Sequence, residues 1–287
     1  MLGIICGSVG TSARGIPQTR VLLIRRYRAG ERLTYDMKGT NGNWRYLIQA
    51  RGVVKRNRNG TFVEEYAWSN LVSNGATIRF PQASAQFRQM LSLDARVPPA
   101  ISNLGAVSPM LIGPITDLTT FYADLWLAMH LGPKLSHAGD HSYVKFGRPA
   151  SWADGKRVIL GEDSLDFAFM LQKIDPSTHT ATLLVRHLPP TQPQVRLPAT
   201  WMREPVADTP NNWVQVMKDG NNFVAAVGKE TFEVRMTVSL TGGKIFAASL
   251  ENFVSAQQRN CRRAALTECQ AARRVDISRH VAISLEH

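Results

Sequence analysis

Residues 231–240 read TFEVRMTVSL, with Phe232, Val234, Met236, Val238 and Leu240 on every second position and Thr231, Glu233, Arg235, Thr237 and Ser239 between them. A strand sends successive side chains to opposite faces, so this alternation describes a strand with one greasy face and one wet face. The same pattern recurs along the chain. Leu33, Tyr35 and Met37 alternate with Thr34, Asp36 and Lys38; Asn41 and Gly42 then supply a tight turn, and Trp44, Tyr46, Ile48 and Ala50 return. Asn57 to Gly60 and Asn74–Gly75 punctuate a further pair of strands that carry Phe62, Tyr66 and Trp68, then Ile78 and Phe80. Phe167, Phe169 and Leu171, a turn at Asp175–Pro176, and Ala181, Leu183 and Val185 form another hairpin. After Gly242 and Gly243 come a strand from Ile245 to Phe253 and a last one with Val275, Ile277, Val281, Ile283 and Leu285 on one side.

Helical periodicity is confined to the middle. Leu118, Phe121, Tyr122, Leu125, Trp126 and Met129 recur at helical spacing; Thr116 or Asp117 is the expected cap and Gly132–Pro133 the expected stop. A shorter helix is expected over 83–93, with Phe87, Met90 and Leu91 on one face. The predicted fold is α+β and β-rich: a large curled antiparallel sheet, a half-barrel-like meander, with one or two helices packed on its concave face. One domain is expected over 23–284, with a helical insertion near 83–131. Residues 1–22, apolar and small up to Thr11, Ser12 and Ala13, read as a leader or signal-peptide remnant, and 285–287 as a tag remnant. The proline-rich stretch from Leu188 to Pro210 predicts an extended crossing over the surface.

The chain carries 34 Lys and Arg against 22 Asp and Glu, a formal charge of +12, which favours anionic partners such as an envelope surface. Nucleic acid is disfavoured, because alternation sets Trp44, Tyr46 and Trp68 on the face opposite Arg45 and Arg51, whereas a base-stacking platform needs both on one surface. No run of about 20 apolar residues provides a membrane span. Neither phosphate-loop nor dinucleotide fingerprint occurs, and no cofactor is expected. Cys261 and Cys269 are expected to pair if the chain is exported to the periplasm or beyond.

The sharpest chemical candidate is HLGPKLSHAGDH at 130–141. His137 and His141 have the spacing of two ligands on a helix, Asp140 adds an oxygen, and His130 is a third imidazole, so His130, His137 and His141 form the alternative metal set and His137, Asp140 and His141 the alternative hydrolase centre. Gly139 and the Gly132–Pro133 break argue for a loop, on which such spacing fixes no geometry. Serine-based chemistry could pair Ser136 with His137 and Asp140, or Ser151 or Ser164 with His187, but no nucleophile-elbow motif occurs. Two acid pairs, Glu64–Glu65 and Glu162–Asp163, are further candidates; the first is expected to point to opposite faces.

Successive hairpins, inward aromatic residues and an amphipathic helix between strand groups resemble, over residues 27–285, the β half-barrels of bacterial lipoprotein carriers and related envelope proteins. The resemblance implies a concave apolar cavity for an acyl chain or a similar hydrophobic or amphipathic ligand. Phe121, Leu125, Trp126 and Met129 are the residues expected to line it. Binding of polyanions by an envelope module is the third expectation.

Overall fold

The computed structural model describes residues 23–99, 104, 107–131, 135–146, 158–160, 165–188 and 197–286. The leader at 1–22, the helix stop at Gly132–Pro133, and Ser151, Glu162, Asp163, Ser164 and His287 lie outside these residues.

Among the described residues thirteen strands form one antiparallel sheet. The first group is β1 (Arg32–Asn41), β2 (Trp44–Arg56), β3 (Phe62–Ser73), β4 (Ala76–Thr77) and β5 (Gln89–Leu91). The second is β6 (His141–Phe146), β7 (Val158–Leu160), β8 (Leu165–Asp175), β9 (Thr180–Leu188), β10 (Trp213–Asp219), β11 (Asn222–Ser239), β12 (Ile245–Cys261) and β13 (Arg273–Leu285). Within the first group α1 (Gln82–Gln86) lies between β4 and β5, and α2 (Pro109–His130) lies between the two groups. The order along the sheet is β4-β3-β2-β1-β13-β12-β11-β9-β8-β6, so the first and last long strands meet at the centre and join two meanders. Leu285 pairs with Tyr35, and the Glu286 amide donates to Thr34 O at 2.8 Å, so the strand pairing runs through the segment expected to be a tag remnant.

The sheet curls around α2. Tyr35, Met37, Ile48, Tyr66, Phe169, Leu183, Met236, Leu250 and Ile283 bury the inner face against Leu111, Ile115, Leu118, Phe121 and Leu125 of the helix. Each of these five helical side chains has no exposed surface, and such burial is worth roughly 1.5–3 kcal/mol apiece. The helix begins two turns earlier than expected, behind Ser108, with Pro109 in its first position; Thr116 and Asp117 lie inside it rather than at its cap. Pro109 fits a first turn, whose amides have no intrahelical acceptor. Pro114 interrupts one backbone bond, yet burial of Leu111 and Ile115 on either side carries the helix through it.

The helix expected over 83–93 divides into α1 and β5. The chain turns extended at Phe87, and β5 pairs with the free edge of β3 at Glu64↔Leu91 and Tyr66↔Gln89. Pairing satisfies main-chain groups along an edge that would otherwise be open. Gln89 is fully buried and donates through Nε2 to Ile115 O and Thr119 Oγ1, which ties this edge to α2.

A second core lies on the other side of the sheet. β11 and β12 are 18 and 17 residues long, and β11 pairs with β9 over Phe232–Ser239 but with β10 over its first half. Beyond that changeover Val214, Val216, Ala225 and Val227 meet Leu197, Trp201 and Met202, the latter two from a 3-10 turn (Thr200–Arg203) inside the proline-rich stretch, of which 189–196 lie outside the described residues. These strand residues have the opposite parity to Val234, Met236 and Leu250, so the two cores occupy opposite faces of one sheet. A disulfide joins Cys261, the last residue of β12, to Cys269 and packs against the second core.

Candidate ligand-binding site

Three polar residues stand where alternation calls for apolar ones, and each meets a group on or beside α2. Glu64 shares the inner face of β3 with Tyr66 and Trp68. Its Oε1 accepts from Arg25 Nε at 3.0 Å, and both side chains are 1% exposed. Its Oε2 accepts from Tyr66 Oη at 2.8 Å and from Tyr122 Oη of α2. Arg25 also reaches Glu31 at 2.8 Å and stacks over the Tyr27 ring. Burial works against the guanidinium charge, but Glu64 and Glu31 outweigh it and raise the Arg25 pKa.

Arg279 interrupts the apolar side of β13 and pairs with Asp117 of α2, whose Oδ2 accepts from Tyr46 Oη at 2.5 Å. His187 continues the Ala181–Leu183–Val185 face of β9; its Nε2 lies 2.9 and 3.0 Å from the two carboxylate oxygens of Asp124, and its ring stacks on Phe232. Asp117 and Asp124 are seven residues apart, two helical turns, so one side of α2 carries both. The result is a buried polar seam that fixes where the helix sits on an otherwise non-directional apolar surface.

Two glycines make the seam possible. Gly39 lies opposite Tyr46 and Gly52 opposite Tyr66, and in both pairs the ring lies over the bare glycine; a methyl group at either position would overlap it. Gly52→Ala should therefore displace Tyr66 from Glu64 and destabilise the protein by about 1–3 kcal/mol in urea unfolding; an unchanged midpoint would show that the ring position is not constrained.

Glu65 points outward to Lys55 at 2.7 Å while Glu64 points inward. Ser136 Oγ lies 3.0 Å from His137 Nδ1 and 3.2 Å from Asp140 Oδ2, so these three side chains do meet, on an exposed loop, and Asp140 Oδ2 also accepts from the Ser136 and His137 amides at 2.8 Å each. Those amides hold the Asp140 carboxyl below the usual range and make the segment a closed loop. His141 opens β6 with an exposed side chain, and His130 Nε2 lies 2.8 Å from Leu93 O at the far end of α2. The three imidazoles are thus used separately, and among the described residues no group of three His, Cys, Asp or Glu is placed to hold a metal. Of the expected lining residues, Phe121 and Leu125 are fully buried core and Trp126, 8% exposed, donates to Asp94 O. Met129 borders a hollow of ≈ 400 Å3 at the helix end with Leu23, Tyr27 and Phe62. Trp44, Tyr46 and Trp68 pack with the main core, and Arg45 and Arg51 are on the outer face.

The outer face carries a larger concavity. Cross-strand register aligns Ser249, Ala282, Lys38 and Leu47 in one row and Glu251, His280, Thr40 and Arg45 in the next. These rows border a groove of ≈ 520 Å3 that continues past Val72 to the turn at Asn74 and Gly75. A second hollow of ≈ 460 Å3 adjoins it, sharing Lys38, Leu47 and Ala282. The cause is local. Between the pairs Gln49↔Ser69 and Leu47↔Val72, β3 has one residue more than β2, and Asn70 takes a positive φ of 58°. Such a bulge bends and twists a strand pair, and the small side chains of Ala282 and Ser249 leave the bend unfilled. Leu47 remains 54% exposed in the middle. Lys38 and Arg45 have no carboxylate partner among the described residues.

Alternation alone labels Leu47 as one apolar residue on a wet face, so the groove was not visible in the sequence. The seam was: Glu64, His187 and Arg279 are polar residues on the apolar parity of their strands. No helix of the described residues is long and apolar enough to cross a membrane. Compared with models of known families, with curated proteins and with solved structures, the chain finds no match.

Proposed function

We propose that this is an exported binding protein for an amphipathic molecule with an apolar body and an anionic end, held in the outer-face groove. The observation that carries this is the juxtaposition of exposed Leu47 and partly buried Val72 and Ala282 with Lys38 and Arg45, which have no carboxylate partner among the described residues, in one ≈ 520 Å3 concavity. Apolar walls supply affinity in proportion to the area they remove from water, and a few polar groups orient the ligand. In this arrangement the acyl-like body lies along the row through Leu47 and Ala282, and its anionic end meets Arg45 or Lys38. The Cys261–Cys269 disulfide supports export, because such bonds persist in oxidising compartments.

Mass spectrometry of the gently purified protein should reveal a bound amphiphile, and a fluorescent fatty acid should compete with it. Leu47→Asp places a charge on the apolar wall without touching the core, and it should weaken the fatty acid by about 10–100-fold, in line with the roughly 1.5–3 kcal/mol of one buried Leu. Arg45→Glu should weaken the fatty acid more than its uncharged methyl ester. Undiminished binding by Leu47→Asp would remove the groove from the account.

A further inference from the structure

The loop between β12 and β13, with the strand ends that flank it, gathers much of the chain's positive charge. Residues 257–274 contain Arg259, Arg262, Arg263, Arg273 and Arg274 against one acid, Glu268, so five positive charges less one negative leave +4 of the chain's +12 in this hairpin end. The backbone holding them is firmly built. The disulfide spans the loop, Gln270 N donates to Asn260 O at 2.9 Å, and Leu266, 1% exposed, accepts from Trp201 Nε1 through its carbonyl. Arg259 lies over the Trp201 ring at 4.8 Å and is occupied there. The other four arginines are exposed. Arg263 pairs with Glu268 and Arg274 with Asp276; Arg273 donates to the neutral Gln258, and Arg262 has no carboxylate partner among the described residues.

Beside the disulfide a hollow of ≈ 480 Å3 is lined by Asn222, Asn260, Gln270, Asp219, Glu268 and Arg262. Amides and carboxylates together offer both donors and acceptors, the set that hydroxyl groups need. The large apolar side chains that are exposed elsewhere, such as Leu47 and Phe253, have no counterpart between 257 and 274 among the described residues. Contact with a lipid interface is normally strengthened by such side chains, so their absence turns the choice of partner toward a soluble, hydroxyl-rich polyanion.

We propose that this loop binds an anionic polysaccharide. Its sulfate or carboxylate groups pair with Arg262, Arg263, Arg273 and Arg274, and sugar hydroxyls enter the hollow between Asn222, Asn260 and Gln270. The proposal is independent of the outer groove.

Heparin serves as the probe, with neutral dextran and vesicles containing anionic phospholipid as the other arms, all with the full chain at low salt. The wild-type protein should bind heparin, with affinity falling as salt rises, and should bind neither dextran nor vesicles comparably. The triple variant R262Q/R273Q/R274Q, which alters only exposed side chains, should keep its circular dichroism and lose on the order of 100-fold in affinity, about fivefold per arginine. Asn260→Ala should weaken binding without changing its salt dependence. Equal heparin binding by the triple variant, or preference of the wild type for vesicles over heparin, overturns the assignment, as does failure to bind heparin at all.

Discussion

Arg25→Met should destabilise the protein by about 3–5 kcal/mol, the largest effect expected of any single substitution here, because it strips the partner from a carboxylate that has no access to water. Glu64 is 1% exposed and sits among Tyr66, Tyr122 and the Arg25 guanidinium. The two hydroxyls can share its charge but cannot neutralise it. Arg25 also holds its own segment in place, donating to Arg26 O and Gly242 O and pairing with Glu31. The companion experiment separates these roles. Arg25→Met combined with Glu64→Leu removes both charges, and a buried pair exchanged for apolar groups of similar volume is often close to neutral. Urea unfolding should therefore show most of the lost stability regained in the double variant. If the double variant is as unstable as Arg25→Met alone, the cost lies in the segment's packing and not in an unpaired Glu64.

Between about pH 10.5 and 12 the protein should unfold cooperatively, with phenolate absorbance rising in the same step. Of its six tyrosines, Tyr35, Tyr46, Tyr66 and Tyr122 are buried, and burial pushes the pKa of each above the ordinary value of 10.0. Glu64 raises three of them further, because a phenolate beside a carboxylate is doubly disfavoured. The sign follows from proton counts. Below the unfolded value both states keep their protons and stability is intact; above it the unfolded chain releases protons that the folded chain retains, so stability falls as pH rises toward the folded values. Each tyrosine contributes up to about 1.4 kcal/mol per pH unit, and four together up to about 5.6 kcal/mol per unit, enough to exhaust an ordinary domain's stability within about one to three units. Tyr143, exposed and hydrogen-bonded to Asp166, is the one expected to titrate apart from the unfolding step. Gradual ionisation of several tyrosines in a chain that stays folded would contradict this.

Strands were legible where one face is apolar and the other polar, and β1, β2, β8, β9 and β11 follow the alternation of the sequence. Alternation says which residues share a face. It does not say what covers that face, which is why two cores on opposite sides of β11 and β12 were read as one. The start of α2 was obscured because Pro109 and Pro114 look like breaks in a local reading, whereas the burial that overrides Pro114 comes from the sheet. β5 was missed for a related reason: Gln89–Leu91 has little strand character of its own and pairs because β3 offers an open edge. The chemical candidates at 130–141 were proposed from spacing, and spacing on a loop left the three imidazoles apart. The groove depends on a one-residue bulge at Asn70 and on side chains too small to fill the bend, features that hydropathy does not register.

In the proposed mode of binding α2 stays locked into the concave face as core and ligand occupies the opposite, outer face. Hydrogen exchange with and without a bound fatty acid tests it directly. Added protection is expected in β1, β2 and β13 around Lys38, Leu47 and Ala282, with the exchanging amides of α2 unchanged. Protection or loosening concentrated in that helix, with the strands around Leu47 indifferent to ligand, would place the ligand between helix and sheet and contradict it.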